Sequence, residues 1–351
     1  MSSPGVAGRA RGALRRLSPG YFAMTMATGI ISFGFAVAGR LLISRVLLAI
    51  TAISFVALCV LTAWRFLAWR SDFVEDFTHP LRGFGFYSFV AAANVLAVRV
   101  ADDLRSVALT LLVVSAAAWL VRGYVVPWTT HLDRGERPIV KAANGTWFMW
   151  AVAGQSVGLA ASTLSATHGG ELLPFVAVCG WALGLFLYVV DGVFVVMRLL
   201  SYEFSAEDLT PPYWIAMGAA AISSLAGVHL ATLDADPFVD TVRELARGSG
   251  LALWVVASWL VPGLFAMGWW RHVTHRVPLR YDASMWSIIF PLGMYATTSL
   301  TLAGLEHLPG LDVVGHVGLW VALAAWLLAA GGLVHHVWTD VLSPRGRPEA
   351  A

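Results

Sequence analysis

The feature that most constrains this chain is a succession of ten apolar runs, each long enough to cross a lipid bilayer and each bounded by charges, proline or glycine. They occupy residues 19–38, 42–64, 81–100, 105–126, 144–164, 173–198, 211–232, 249–270, 283–304 and 313–337. A helix needs about 20 residues to cross the hydrocarbon core. With no water there, every backbone N–H and C=O must be paired within the protein, which leaves helices or closed barrels. Barrel strands of about ten alternating residues do not match runs of this length. The expected fold class is therefore all-α and integral to the membrane, with ten transmembrane helices. Charged residues make up 13% of the 351 positions and hydrophobic ones 58%, whereas a soluble domain carries about 25% charged residues. The expected organisation is a basic cytoplasmic N-terminus at 1–18, a ten-span membrane domain at 19–338 and a cytoplasmic tail at 339–351.

Arg9, Arg11, Arg15 and Arg16 precede an apolar run that ends in Ala36-Val37-Ala38, an arrangement with some likeness to a signal peptide and its cleavage site. The run from Pro19 to Ala38 is longer than a signal core, so it is expected to remain as the first span. Of the 23 Lys and Arg, the loops on one side hold Arg40, Arg45, Arg99, Arg105, Arg243 and Arg247, and the other side holds the rest. The arginine-poor side instead carries acids such as Asp102, Asp103, Asp234, Asp236, Asp240 and Asp312. By the positive-inside rule both termini are expected in the cytoplasm, and the membrane to be the plasma membrane. A net charge of +2 offers no field for nucleic acid. Cys59 and Cys179 fall inside apolar runs and read as small buried hydrophobes.

A weak repeat runs through the odd-numbered spans. Span 1 opens Ser18-Pro19-Gly20-Tyr21-Phe22-Ala23-Met24 and span 7 opens Thr210-Pro211-Pro212-Tyr213-Trp214-Ile215-Ala216-Met217. Span 3 opens at Pro80 with Phe84, Phe86 and Tyr87, span 5 at Gly145 with Trp147, Phe148 and Trp150, and span 9 with Trp286 before Phe290-Pro291. Each odd span thus begins with proline or glycine and an aromatic, whereas the even spans are richer in Leu, Val and Ala. The natural reading is five helical hairpins, with odd helices gathered around an axis and even helices facing lipid.

Signatures of catalysis are missing: the sequence has no phosphate-cradling Gly-Lys-Ser/Thr loop, no His-Glu-x-x-His and no Cys-x-x-Cys. Most histidines fall at span ends, not in the facing pairs that a haem bundle uses, and no cofactor or metal is expected. Uncharged polar residues gather instead on the odd spans, beside several glycines. Polar residues inside a membrane mark pathways by default, although any single Ser or Thr also serves to bridge helices. The pore-lining candidates are Phe22, Thr25, Thr28, Gly29, Phe86, Trp147, Gln155, Trp214 and Thr297. Asp191, in span 6 near Arg198, is either a proton-coupling acid or a structural group. With no ring of Lys or Arg on the odd spans, a permeating anion meets dipoles and aromatic edges, and selectivity is expected to follow the ease of dehydration.

The stretch Tyr21-Phe22-Ala23-Met24-Thr25-Met26-Ala27-Thr28-Gly29-Ile30-Ile31-Ser32 resembles the tellurite-resistance/dicarboxylate transporter family, which includes fungal malate permeases and plant slow-type anion channels. Gly145-Thr146-Trp147, Gln155-Ser156, Pro211-Pro212-Tyr213-Trp214 and Trp286 through Tyr295 carry further likeness, so it runs from about residue 17 to 338. The resemblance implies five hairpins around a central pore, a homotrimer with one pore per subunit, and small inorganic or organic anions as cargo. It also implies that the phenylalanine before the span 9 proline, here Phe290, plugs the pore. Pro291 leaves a carbonyl one turn earlier without its helical partner and can kink the helix beside that ring. One departure stands out: the family often has glycine before Thr-Gly in span 1, and here the residue is Ala27. The expected function is anion passage through a narrow uncharged pore occluded by phenylalanine. The alternatives are a proton-coupled dicarboxylate carrier, a sulfite or tellurite-related exporter, and a non-conducting structural membrane protein.

Overall fold

A computed structural model describes residues 6–79, 81–131, 139–234 and 236–342. Pro80, Arg134, Arg137 and the ends of both tails, which entered the reading above, lie outside these residues. Ten long helices follow one another: α1 Phe22–Val37, α2 Leu41–Ala68, α3 Tyr87–Val100, α4 Arg105–His131 and α5 Met149–His168 form the first half. The second half comprises α6 Leu172–Ser201, α7 Ile215–Ala231, α8 Pro237–Trp269, α9 Trp286–Glu306 and α10 Pro309–Val337. Among the described residues there is no strand. The chain is an all-α membrane protein.

Nine of the described helical segments are long and apolar enough to cross a membrane. The segment left out of those nine is α5, which the sequence reading counts as the fifth span. Gln155, Ser156, Ser162, Thr163, Ser165 and Thr167 dilute its apolar character. Nearly all of it is buried, from Met149 to Leu164, so protein rather than lipid surrounds it and its side chains need not be uniformly apolar.

The odd helices close into a ring. Helix α1 packs on α3, α3 on α5, α5 on α7, α7 on α9, and α9 returns to α1. Each even helix lies outside, against the odd helix that precedes it. The division shows in burial: 61–78% of the spanning window is buried in α1, α3, α7 and α9, against 17–33% in the even helices. Leu, Val and Phe on the even helices face outward, as at Leu42, Ile53, Val113, Phe186, Trp259 and Leu328. Small residues on the odd helices let neighbouring backbones approach, the usual means of helix association in lipid. At the α5–α6 crossing Gly158 and Gly180 face each other, and a Cβ on Gly180 would lie 2.6 Å from the Gly158 nitrogen.

Two connections differ from the sequence reading. Helix α8 begins at Pro237, about three turns before the apolar run at 249–270. Asp236 caps it, its Oδ1 accepting from the Phe238 and Val239 amides at 2.9 and 3.3 Å, and Arg243 anchors the extra turns by donating to the Ala231 and Leu233 carbonyls. Proline at the first position with an acidic cap suffices to start a helix outside the hydrophobic window. The connection between α2 and α3 holds a short helix, Arg70–Thr78. Its Asp76 pairs with Arg65 at 2.5 Å and Arg82 at 2.6 Å, tying the ends of α2 and α3 together.

Candidate functional site

The aromatic repeat of the odd spans corresponds to one local structure. A single 3₁₀ turn leads into each ring helix: Pro19–Tyr21 before α1, Arg82–Phe86 before α3, Gly145–Phe148 before α5, Pro211–Trp214 before α7 and Ala283–Met285 before α9. Side chains hold three of them. Ser18 accepts from the Gly20 amide, Asn144 from Thr146 and Asp282 from Ser284, as Asx and Ser turns do. The five lead-in turns contact one another in the same cyclic order as the helices. One end of the bundle is thereby drawn into a tight collar. Gly145 is required there, because a Cβ would lie 2.2 Å from the Pro212 carbonyl oxygen.

Phe290 and Pro291 lie in the second turn of α9. Phe290 is fully buried, and α7 makes room for the pair with a glycine. A Cβ on Gly218 would lie 2.9 Å from Pro291 Cγ and 3.0 Å from Phe290 Cε1. One turn further, Gly293 faces Ile30 and Ile31 of α1. Helix α9 is therefore pressed between both of its ring neighbours where the proline withholds a hydrogen bond from the Ser287 carbonyl. Ala27, the departure in span 1, is also fully buried.

The other candidate residues are engaged sideways. Thr25 shares a 3.1 Å hydrogen bond with Ser54 of α2. Thr28 donates to the Met24 carbonyl and accepts from Trp326 of α10 at 2.8 Å. Gly29 faces Val95 and Thr51. Thr297 donates back to the Gly293 carbonyl at 2.8 Å and reaches towards Ile30 of α1. Gln155 donates to the Trp181 carbonyl on α6 at 3.1 Å. Trp147 stacks on Phe84 with centroids 5.1 Å apart, and Trp214 meets Phe265 of α8 edge-on. Phe22 packs against Phe55 and Phe89, and Phe86 against Phe73 and Phe77. Several hydroxyls that share helices in sequence are here distributed among separate interhelical contacts, some to the outer helix and some to the next ring helix. The same holds for Asn94, which donates to Ser156 of α5 and accepts from Ser115 of α4.

Asp191 is buried on α6. Its carboxylate is directed at the Ala151 amide in the first turn of α5, with Oδ2 lacking a partner. A carboxylate at a helix N-terminus meets the positive end of the dipole and an amide that the helix leaves free. Arg198, its neighbour in sequence, looks elsewhere: it donates to the Lys141 and Glu203 carbonyls and lies 3.8 Å from Asp208. Sequence reasoning missed Arg122, counted there among loop charges. It is buried within α4, and its signal was its place inside the apolar helix that continues past it to His131.

Two archaeal proteins, both named uncharacterized transporters of Methanocaldococcus jannaschii, are 20% and 21% identical, over 93% and 94% of this chain and 95% and 97% of their own lengths. An uncharacterized membrane protein of Mycobacterium tuberculosis is 45% identical over 153 residues, covering 44% of this chain and 78% of that protein. The family described as voltage-dependent anion channel, SLAC1, matches residues 16–334, from just before the first lead-in turn to within the last ring-covering helix. The resemblance read from the sequence motifs is thus sustained across the membrane domain, and the chain belongs to the SLAC1 family of anion channels and transporters.

Proposed function

We propose that the chain passes small anions along the axis of the five-helix ring, and that Phe290 closes this path. The observation that carries the reading is the closed ring of α1, α3, α5, α7 and α9, with the buried Phe290–Pro291 pair seated on Gly218. Because so many hydroxyls of the odd helices are engaged with neighbouring helices, what remains for the path is small and apolar surface with helix dipoles. An ion crossing such a constriction gives up water for weak partners, so readily dehydrated anions pass most easily. All ten helices span the plasma membrane in this reading, α5 included, with both termini cytoplasmic as the arginine distribution favours. The trimer implied by the family belongs to the same proposal.

Purified protein in proteoliposomes tests it. Phe290→Ala should raise nitrate, bromide and chloride flux, with nitrate ahead of chloride and sulfate last. Unchanged flux in correctly inserted Phe290→Ala protein, or sulfate leading, would overturn the reading. Asp191 serves here as a cap on α5. Uptake driven by a pH gradient and abolished in Asp191→Asn would replace the channel with a proton-coupled dicarboxylate carrier.

A further inference from the structure

A slot of about 370 Å³ opens between the peripheral helices α2 and α4, roofed by the short helix Arg70–Thr78 and floored by the first turns of α1 and α3. Its size falls within the range of about 300–1,000 Å³ typical of small-molecule sites. Phe22, Phe66, Phe73, Phe77, Phe86 and Phe89 are part of its wall. It reaches from the level of Phe77 and Arg122, at the collar end of the bundle, to Val90 in the first turn of α3 and to Cys59, more than two turns from the end of α2.

Arg122 stands at the collar end of this slot, with 3% of its surface exposed. Its guanidinium lies 4.2 Å from the Phe77 ring centroid and 5.8 Å from that of Phe86, and one Nη donates to the Phe77 carbonyl. Its Nε has no partner. Among the described residues no carboxylate pairs with it, although the buried Arg65 and Arg198 each have one. Tyr87 also lines the slot, and its hydroxyl, within electrostatic reach of Arg122 and of Asp191, is buried without a partner. The guanidinium fits only because residue 83 is glycine, where a Cβ would overlap Arg122 Nη2. A buried cation with no counter-ion is strongly disfavoured. The molecule that relieves it must bring an anion to the collar end and apolar bulk below it.

We propose that this slot is a binding site for a long-chain fatty acid, its carboxylate at the Arg122 guanidinium and its chain among the phenylalanines. A planar carboxylate matches the guanidinium edge, and a slot of this volume suits one chain better than the two of a phospholipid. The floor is formed by Phe22, Phe86 and Tyr87, at the start of two ring helices, so the occupant would brace the collar.

A diazirine-bearing palmitic acid and the matching fatty alcohol, added to full-length protein in proteoliposomes, test the proposal by photolabelling and peptide mapping. The acid should label the 62–77 region and exceed the alcohol by about tenfold, as expected for a charge-assisted hydrogen bond to a desolvated guanidinium. Arg122→Gln should remove that preference. Ala118→Trp, which fills the slot and leaves the cation in place, should suppress labelling by both probes and keeps the test valid if Arg122→Gln fails to fold. Equal labelling by acid and alcohol, label spread evenly over the outer helices, or unaltered labelling in Ala118→Trp would overturn it. Full competition by phosphatidylglycerol at equal concentration would also overturn it in favour of a phospholipid.

Discussion

The seat of Phe290 can be tested without touching the phenylalanine. In Gly218→Ala the new Cβ would stand 2.9 and 3.1 Å from two Pro291 carbons and 3.0 Å from Phe290 Cε1. Carbon atoms rest at about 3.5–4.0 Å, so the methyl overlaps its neighbours by roughly 0.5–1 Å. The proline ring is fixed to the α9 backbone, which leaves the benzyl group as the part able to move. Overpacking of this kind costs about 1–3 kcal/mol. If the strain falls on the closed position of a gate, it biases the open one by the same amount, a change of about 5- to 150-fold in a two-state equilibrium. Nitrate efflux from proteoliposomes at matched protein density should therefore rise within that range, while remaining below that of Phe290→Ala. In the double variant the methyl should add no further flux, because the ring it displaces is gone, and the coupling between the two positions should equal the whole effect of Gly218→Ala. A lowered thermal midpoint with wild-type flux would show that Phe290 is a packing residue. Multiplicative effects in the double variant would show that Gly218 acts elsewhere.

Gly145→Ala sets a Cβ within 2.2–2.4 Å of Pro212 and Tyr213 backbone atoms, which cannot rotate away. The collar should fail to close at a cost above about 3 kcal/mol, seen as loss of the monodisperse peak in detergent, and a normal yield would refute the tight collar. Asn94→Ala removes the bonds to Ser115 and Ser156 at 2.8 and 3.0 Å, each worth about 0.6–1.7 kcal/mol between membrane helices. The thermal midpoint should fall while the order of anion permeabilities stays unchanged; a changed order would place Asn94 on the pathway.

Much of the architecture was legible before any coordinates, and the reason is the solvent. A bilayer demands paired backbone groups and an apolar exterior, so the apolar runs of the sequence anticipate the ten long helices, and proline or glycine with an aromatic marks the starts of the ring helices. The same logic explains where the reading thinned. Helix α5, read as the fifth span, falls short of the other nine in apolar character because protein encloses it. The early start of α8 and the short helix Arg70–Thr78 depend on caps and ion pairs outside the membrane, where hydropathy carries no signal.

The sequence by itself determined the apolar runs and their division into an inner and an outer set, and the family resemblance carried by its motifs singled out Phe290–Pro291. Tertiary structure decided which way each polar side chain turns. Thr25, Thr28, Gln155 and Thr297 share the odd helices in sequence, and each has a hydrogen-bond partner on a different neighbouring helix. A helical period reports that a residue faces inward, but a ring helix has two neighbours, an outer partner and an axis, and only the assembled contacts distinguish them. Arg122 shows the same limit: its charge is written in the sequence, and its burial without a carboxylate partner among the described residues comes from the fold around it.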